Sequence, residues 1–173
     1  MTGDIGKHDV PLNKDLFLRK LLRELSGTLQ DVVGMENASG YIAVVGSAMG
    51  KWIDEQYREA MHVSELDAKQ VAQVFVDLKG RIGGDFYIIE LDSEKIVVGN
   101  RACPFGEMAN GRESLCQMTS NVFGRIAADN LGYARVSLDH TIATGHKQCR
   151  IVVYLKPEQN VEVDEREFYR VPK

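Results

Sequence analysis

The residues of this 173-residue chain whose type and spacing suggest chemistry are its three cysteines, Cys103, Cys116 and Cys149. None precedes residue 103, and two of the four histidines fall in the same stretch. Thiolates that a fold gathers from separate segments are ligands of zinc sites and iron–sulfur clusters. The thiols therefore point to a metal, a cluster or a sensed ligand more than to an enzyme.

The elements predicted around the cysteines would bring them to one end of a sheet. Cys103 lies in a loop after a predicted strand, and twelve residues separate it from Cys116 in the first turn of a predicted helix. Unpaired N–H groups and the helix dipole favour a thiolate there. Cys149 begins the last predicted strand. We therefore predict that the three thiols share a zinc ion or an iron–sulfur cluster.

A fourth metal ligand is available in His146, which stands three residues before Cys149. Asp139 and His140 are alternatives close by, and no CxxC pair is present. Other interpretations stay open, because cysteines often pack as small apolar side chains, form an inducible disulfide or act as reactive thiols.

A small enzyme is a further alternative, with Cys103 or Cys116 as nucleophile and His146 as base. It is less favoured because no third group that would orient the base is identifiable. The chain also lacks a Gly-rich phosphate loop, an HExxH motif and a GxSxG motif. We therefore expect a protein that is not an enzyme.

Composition and charge exclude several classes of protein. A hydrophobic share of 44% and a charged share of 27% are typical of a globular domain. The net charge of −4 and the dispersed Lys and Arg residues predict no direct binding to nucleic acid. No apolar run is long enough to cross a bilayer, and the polar start Met1–Val10 does not resemble a signal peptide. We expect a cytoplasmic protein with reduced thiols.

Helical periodicity dominates the first half of the chain. Apolar residues recur at helical spacing over 12–33, and Gly34 follows as a stop signal. A second helix is predicted over 38–61, where Gly40, Gly46 and Gly50 indicate close helix packing or a ligand near the backbone. The residues 64–67 form a capping-box start for a third helix, which ends near residue 80.

The period changes after residue 84 to that of strands. The prediction is a hairpin over 85–91 and 94–101 that turns at Asp92-Ser93, a loop over 100–112, a helix over 113–131, and strands over 133–138 and 148–156. This order predicts an α+β fold, with an antiparallel four- or five-stranded sheet packed with about four helices. Residues 1–156 are expected to form a single domain. The charged segment 157–173 is expected to be an arm outside the core.

Short motifs in the second half of the chain resemble a known family. They are Phe86-Tyr87-Ile88-Ile89-Glu90, Asn100-Arg101-Ala102-Cys103-Pro104-Phe105, Leu115-Cys116-Gln117-Met118, Phe123-Gly124-Arg125-Ile126-Ala127, Gly145 and Cys149-Arg150-Ile151-Val152-Val153. The segment that carries them resembles the vinyl-4-reductase-type small-molecule-binding domains and, more closely, the methanogen output domain of prokaryotic signalling proteins. The helices over 12–61 match more loosely, so the resemblance covers most of 12–156.

The resemblance implies an α+β sensory or regulatory module that is commonly a homodimer. The cysteine spacing is also similar to that of iron–sulfur-sensing repressors of the Suf system, which implies Cys103, Cys116 and Cys149 as ligands. Vinyl-4-reductase-type domains usually carry a further cysteine four residues before the glycine that corresponds to Gly145, and here that residue is Thr141.

The leading interpretation is a non-enzymatic sensory or regulatory domain that binds a small apolar ligand, a metal or a cluster. It would signal to a protein partner, as a homodimer built on the helices over 12–33 and 38–61. The alternatives are the small cysteine enzyme and a structural adaptor with buried cysteines.

Overall fold

The computed structural model describes residues 9–157 and 165–171, and within them the chain forms three α-helices and five strands. The elements are α1 (Lys14–Met61), α2 (Ala68–Arg81), β1 (Phe86–Leu91), β2 (Lys95–Asn100), α3 (Glu113–Leu131), β3 (Tyr133–His140), β4 (Cys149–Tyr154) and β5 (Arg166–Tyr169). Short 3-10 helices lie at Gly106–Ala109 and Ile142–Thr144. The predicted α+β class is confirmed. None of the helices in this part of the chain is long and apolar enough to span a membrane.

The sheet is antiparallel, with the strand order β1-β2-β4-β3-β5. Helices α2 and α3 pack against it, and α1 packs on α3. Between helices and sheet, the rings of Phe75 and Phe123 stack with their centroids 4.0 Å apart. Alternate residues of the central strands, such as Ile96 and Val153, point into the same core because side chains alternate along a strand.

The first helix breaks where the sequence predicts a stop. Gly34 has φ 79° and ψ 161°, a conformation outside the helix that glycine adopts without steric cost. The helix resumes at once, so the two predicted helices are the two halves of α1, with almost no loop between them.

Two of the three glycines predicted to allow close helix packing lie against α3. A Cβ at Gly46 would stand 2.5 Å from the Cβ of Asn121, and one at Gly50 would stand 3.0 Å from the carbonyl oxygen of Val122. Gly40 faces open space. The close approach of α1 and α3 therefore depends on Gly46 and Gly50.

Local sequence signals set the ends of several elements. The Asp67 carboxylate accepts from the N–H of Gln70 at 2.8 Å, and the Gln70 side chain accepts from the N–H of Asp67 at 2.9 Å. The capping box of α2 therefore lies three residues after the one predicted at residues 64–67, because Asp67 is the N-cap and Gln70 its partner. Asp92 turns the β1–β2 hairpin, since its carboxylate accepts from the N–H groups of Glu94 and Lys95.

The expectation of an arm outside the core is wrong for residues 166–169. Arg166–Tyr169 forms β5, which pairs with β3 along its outer edge. Phe168 packs against the core, and its ring occupies the space where a Cβ on Gly124 would lie. The physical reason is that β3 offers an outer edge for backbone pairing, and that Gly124 leaves space on α3 for the ring of Phe168. Residues 158–164 and 172–173 of the proposed arm lie outside the described residues.

Candidate functional site

The three cysteines line one small cavity of ≈ 30 Å³ next to the core, which we call the thiol cavity. Pairing of the strands brings them there, because Cys149 stands opposite Asn100 in the β2–β4 register and Cys103 follows the end of β2. Cys116 reaches the cavity from the first turn of α3. The remaining walls are mainly apolar and include Phe86, Phe105, Leu115, Leu138 and Ile151.

Hydrogen bonds fix Cys149 and the start of the loop that closes the cavity. The Cys149 Sγ atom accepts from the N–H of Ile142 at 3.4 Å and from the side-chain amide of Asn100 at 3.7 Å. The carbonyl oxygen of the same buried amide accepts from the N–H of Ala102 at 3.1 Å. Asn100 therefore ties β4 to residues 101–112, the segment that we call the cover loop.

Two of the thiols are poor nucleophiles in this setting. Burial raises the pKa of Cys116 to about 11, against an opposing hydrogen bond with Thr141, and burial also raises the pKa of Cys103. Since the thiolate is the reactive form, both thiols are largely unreactive near pH 7. Thr141 lies in the cavity wall, at the position where the resemblance expects a further cysteine.

A buried lysine that the sequence analysis assigned no role lies beside the thiol cavity. Lys79, on α2, is only 5% exposed, and its Nζ atom donates to the hydroxyl of Thr119 at 2.8 Å, a residue of the cavity wall. The same ammonium lies 5.3 Å and 5.4 Å from the ring centroids of Phe86 and Phe123. Burial lowers the pKa of Lys79 to about 8, and attraction to the thiolate forms of the three cysteines opposes this shift.

Helical periodicity was the available signal for Lys79. It stands four residues after Phe75 and eight after Val71, both of which are buried on the core side of α2. A lysine on an apolar helix stripe is therefore a candidate for a buried charge.

His146 does not join the cysteines. It is exposed and stacks on His140 with the ring centroids 4.7 Å apart, and it is not part of the cavity wall. Asp139 instead accepts from Arg150 and Ser137. A cysteine nucleophile with His146 as its base therefore finds no support in the geometry.

The cavity as it stands does not fit a metal centre. Among residues 9–157 and 165–171, no group of three or more His, Cys, Asp or Glu residues is arranged to hold a metal ion. The buried ammonium of Lys79 beside the thiols also opposes a bound cation. Zinc or an iron–sulfur cluster at Cys103, Cys116 and Cys149 stays a prediction, which elemental analysis of the purified protein would test.

The cover loop is bonded to the first half of α1. The guanidinium of Arg23 donates to the carbonyl oxygens of Met108 and Asn110, the latter at 3.0 Å. From the other side, the guanidinium of Arg112 lies against Gly27, where an added Cβ would come within 3.0 Å of it. The cover loop and the first half of α1 are therefore in direct contact through Arg23 and Arg112.

A larger and more open groove of ≈ 1330 Å³ lies between the second half of α1, α3 and β5. Its walls are strongly charged, and Arg125 and Arg170 form ion pairs with Asp129 and Glu65. We call it the arginine groove. Its polar walls contrast with the apolar walls of the thiol cavity.

The fold and the site together describe an α+β domain that has an antiparallel sheet and a small cavity beside its core. The sequence model of the family described as methanogen output domain 1 matches residues 21–154. The chain belongs to this family. No curated protein matches the sequence significantly.

Two solved structures are similar in fold. One is the phenol-responsive sensory domain of the transcription activator PoxR with phenol, at 18% identity and a TM-score of 0.63, covering 86% of this chain and 78% of that one. The other is a trafficking protein particle complex subunit 3 from Naegleria fowleri covalently bound to palmitic acid, at 13% identity and a TM-score of 0.57, covering 82% and 96%. At these identities the likeness concerns the fold.

Proposed function

We propose that the chain is a non-enzymatic sensory module that binds a small, largely apolar organic ligand in the thiol cavity and signals to a partner protein through α1. The observation that carries the proposal is the direct bonding of the cavity's cover loop to α1 through Arg23. Mainly apolar walls with a few polar groups are the usual lining of a small-molecule site. The likeness to a phenol-responsive sensory domain supports the same reading.

The size of the closed cavity explains how binding becomes a signal. A volume of ≈ 30 Å³ is room for about two water molecules, so an organic ligand must displace a wall. The walls from the sheet and α3, such as Ile151 and Leu115, are buried in packed elements. Apart from Thr141, the wall residues outside the strands and α-helices all belong to the cover loop. Its displacement moves the first half of α1, and the break at Gly34 lets that half move relative to the second.

Phenol is the probe for the first experiment, read as a shift of the melting temperature. Because a ligand that binds only the folded state stabilises it, phenol raises the melting temperature of the parent protein. The variant Cys116→Val fills part of the cavity and should lose this response. Ala48→Val, which changes the wall of the arginine groove, should keep it. An equal response of Cys116→Val and the parent would contradict binding in the thiol cavity.

Hydrogen exchange tests the signalling step. Phenol should change the exchange of amides in the first half of α1 in the parent protein. In Arg23→Gln, which removes the bonds to the cover loop, phenol should still bind but leave these amides unchanged. A change in exchange that persists in Arg23→Gln would show that the signal takes another route.

We also propose that the partner of α1 in the resting protein is a second copy of the chain. Large apolar side chains remain exposed along both halves of this helix: Leu18 44%, Leu22 44%, Leu25 58%, Val44 71% and Trp52 55%. A stripe of this length on one helix is more than a monomer ordinarily leaves in water. Two copies related by a twofold axis would cover it, since each presents the same surface to the other. The signal would then reach the partner protein as a change in the pairing of two α1 helices.

A further inference from the structure

Lys79 brings a buried positive charge to the thiol cavity without a negative partner. An ammonium has three N–H donors, and the contacts of Lys79 use one of them, to the hydroxyl of Thr119. The rings of Phe86 and Phe123 attract the cation but accept no classical hydrogen bond. Two N–H donors of Lys79 therefore have no hydrogen-bond partner among its contacts.

Two other buried charges among the described residues each have an oppositely charged partner, which Lys79 lacks. Asp54, 1% exposed, is paired with Arg58 at 2.7 Å, and Arg125 is paired with Asp129 at 2.5 Å. For Lys79, no carboxylate in the described part of the chain forms an ion pair. A desolvated charge without a countercharge is costly, and proteins retain one mainly where it serves a site.

The thiols of Cys103 and Cys116 do not supply the countercharge. Burial raises the pKa of Cys103 and of Cys116, so that both are neutral near pH 7. The hydroxyl of Thr119 lies in the cavity wall and also accepts from Lys79. The ammonium of Lys79 therefore lies behind the cavity wall, separated from the cavity by the hydroxyl of Thr119.

We propose that the thiol cavity selects a small organic monoanion, a carboxylate or phenolate. Its anionic oxygen would accept from the hydroxyl of Thr119, which Lys79 supports from behind, and its apolar body would lie against Leu138, Ile151 and the thiols. The inference rests on the proposed function and narrows its ligand to an apolar compound that carries one acidic group. Charge-assisted hydrogen bonds in a site that excludes water are stronger than neutral ones. The charge of the ligand should therefore raise its affinity at least tenfold over that of a neutral isostere.

Calorimetric titration with benzoate and benzamide tests the selection, because the two probes share a ring and differ in charge. In the parent protein at pH 7, benzoate should bind at least tenfold more tightly than benzamide. The variant Lys79→Met keeps the length of the side chain and removes the charge, so it should bind both probes with equal affinity. Lys69→Met, an exposed position of the same helix, is the matched control and should keep the preference for benzoate.

The comparison within the parent protein needs no variant, so the test stands even if Lys79→Met fails to fold. Benzamide bound as tightly as benzoate would overturn the anion selection and leave the proposed function standing. A preference that persists in folded Lys79→Met would overturn the role of Lys79. Binding of neither probe, nor of phenol, would overturn both proposals.

Discussion

Lys79 should give the protein a stability that rises with pH, and this effect can be isolated by one substitution. Burial lowers the pKa of Lys79 from 10.5 to about 8 in the folded state. Between these two values the unfolded chain binds a proton that the folded protein has released. Stability therefore increases with pH across this window, because the unfolded state binds more protons.

The magnitude follows from the two pKa values. Between pH 7 and pH 9 the linkage relation gives a gain of about 1 kcal/mol in the free energy of unfolding. The raised pKa of Cys116, from 9.0 to about 11, acts in the opposite direction, because its thiol keeps a proton that the unfolded chain loses. That loss is well under about 1 kcal/mol at pH 9, and Cys103, whose pKa is also raised by burial, adds a loss of the same sign. The gain from Lys79 is the largest of these contributions.

Urea unfolding of the parent and of Lys79→Met at pH 7, 8 and 9 measures the effect. Burial, the main cause of the raised cysteine pKa values, acts in both proteins, so the difference in unfolding free energy between them should change by about 1 kcal/mol from pH 7 to pH 9. The parent should gain stability relative to the variant as the pH rises. Lys69→Met should run parallel to the parent. A difference between parent and Lys79→Met that stays constant with pH would refute the reasoning, since it would mean that Lys79 is hydrated in solution.

Three further predictions concern packing and assembly. Gly50→Ala should destabilise the fold by about 1–3 kcal/mol in urea unfolding, because the new methyl group meets the backbone of α3, whereas Gly40→Ala in open space should stabilise it by up to about 1 kcal/mol. Phe168→Ala should cost about 2 kcal/mol, since it removes the half-buried ring that holds β5 on α3; an unchanged unfolding curve would mean that β5 is not docked in solution. Trp52→Glu should turn a dimer into a monomer by light scattering at unchanged helicity, and a parent protein that is already monomeric would contradict the dimer proposal.

The features that sequence reasoning predicted well are those that depend on neighbours along the chain. Helical periodicity located α1 and α3, and the capping-box pattern at residues 64–67 placed the start of α2 within one turn of its N-cap, Asp67. The convergence of the thiols could also be predicted. A loop after one strand, the start of a helix and the start of a strand lie at the same end of an antiparallel sheet.

The features that were missed depend on contacts between distant segments. Lys79 stands in a sequence where a lysine normally lies in water, and only the packing of Phe86 and Phe123 around it reveals the burial. The strand of residues 166–169 is short and charged, and its pairing depends on the free edge of β3 and on the space left by Gly124. His146 was expected in the site because it precedes Cys149 closely, but the turn directs its ring toward His140.

The late position of β5 in the chain has a consequence for synthesis on the ribosome. Tyr133, at the start of β3, pairs with Tyr169, so β3 lacks its outer neighbour until residue 169 has left the exit tunnel. The hairpin, α3 and β4 can assemble before that point. During this interval a nascent chain carries an unpaired strand edge and an uncovered patch of α3, both of which favour association with other chains. The nascent protein therefore stays open to misassembly until β5 has emerged and paired with β3.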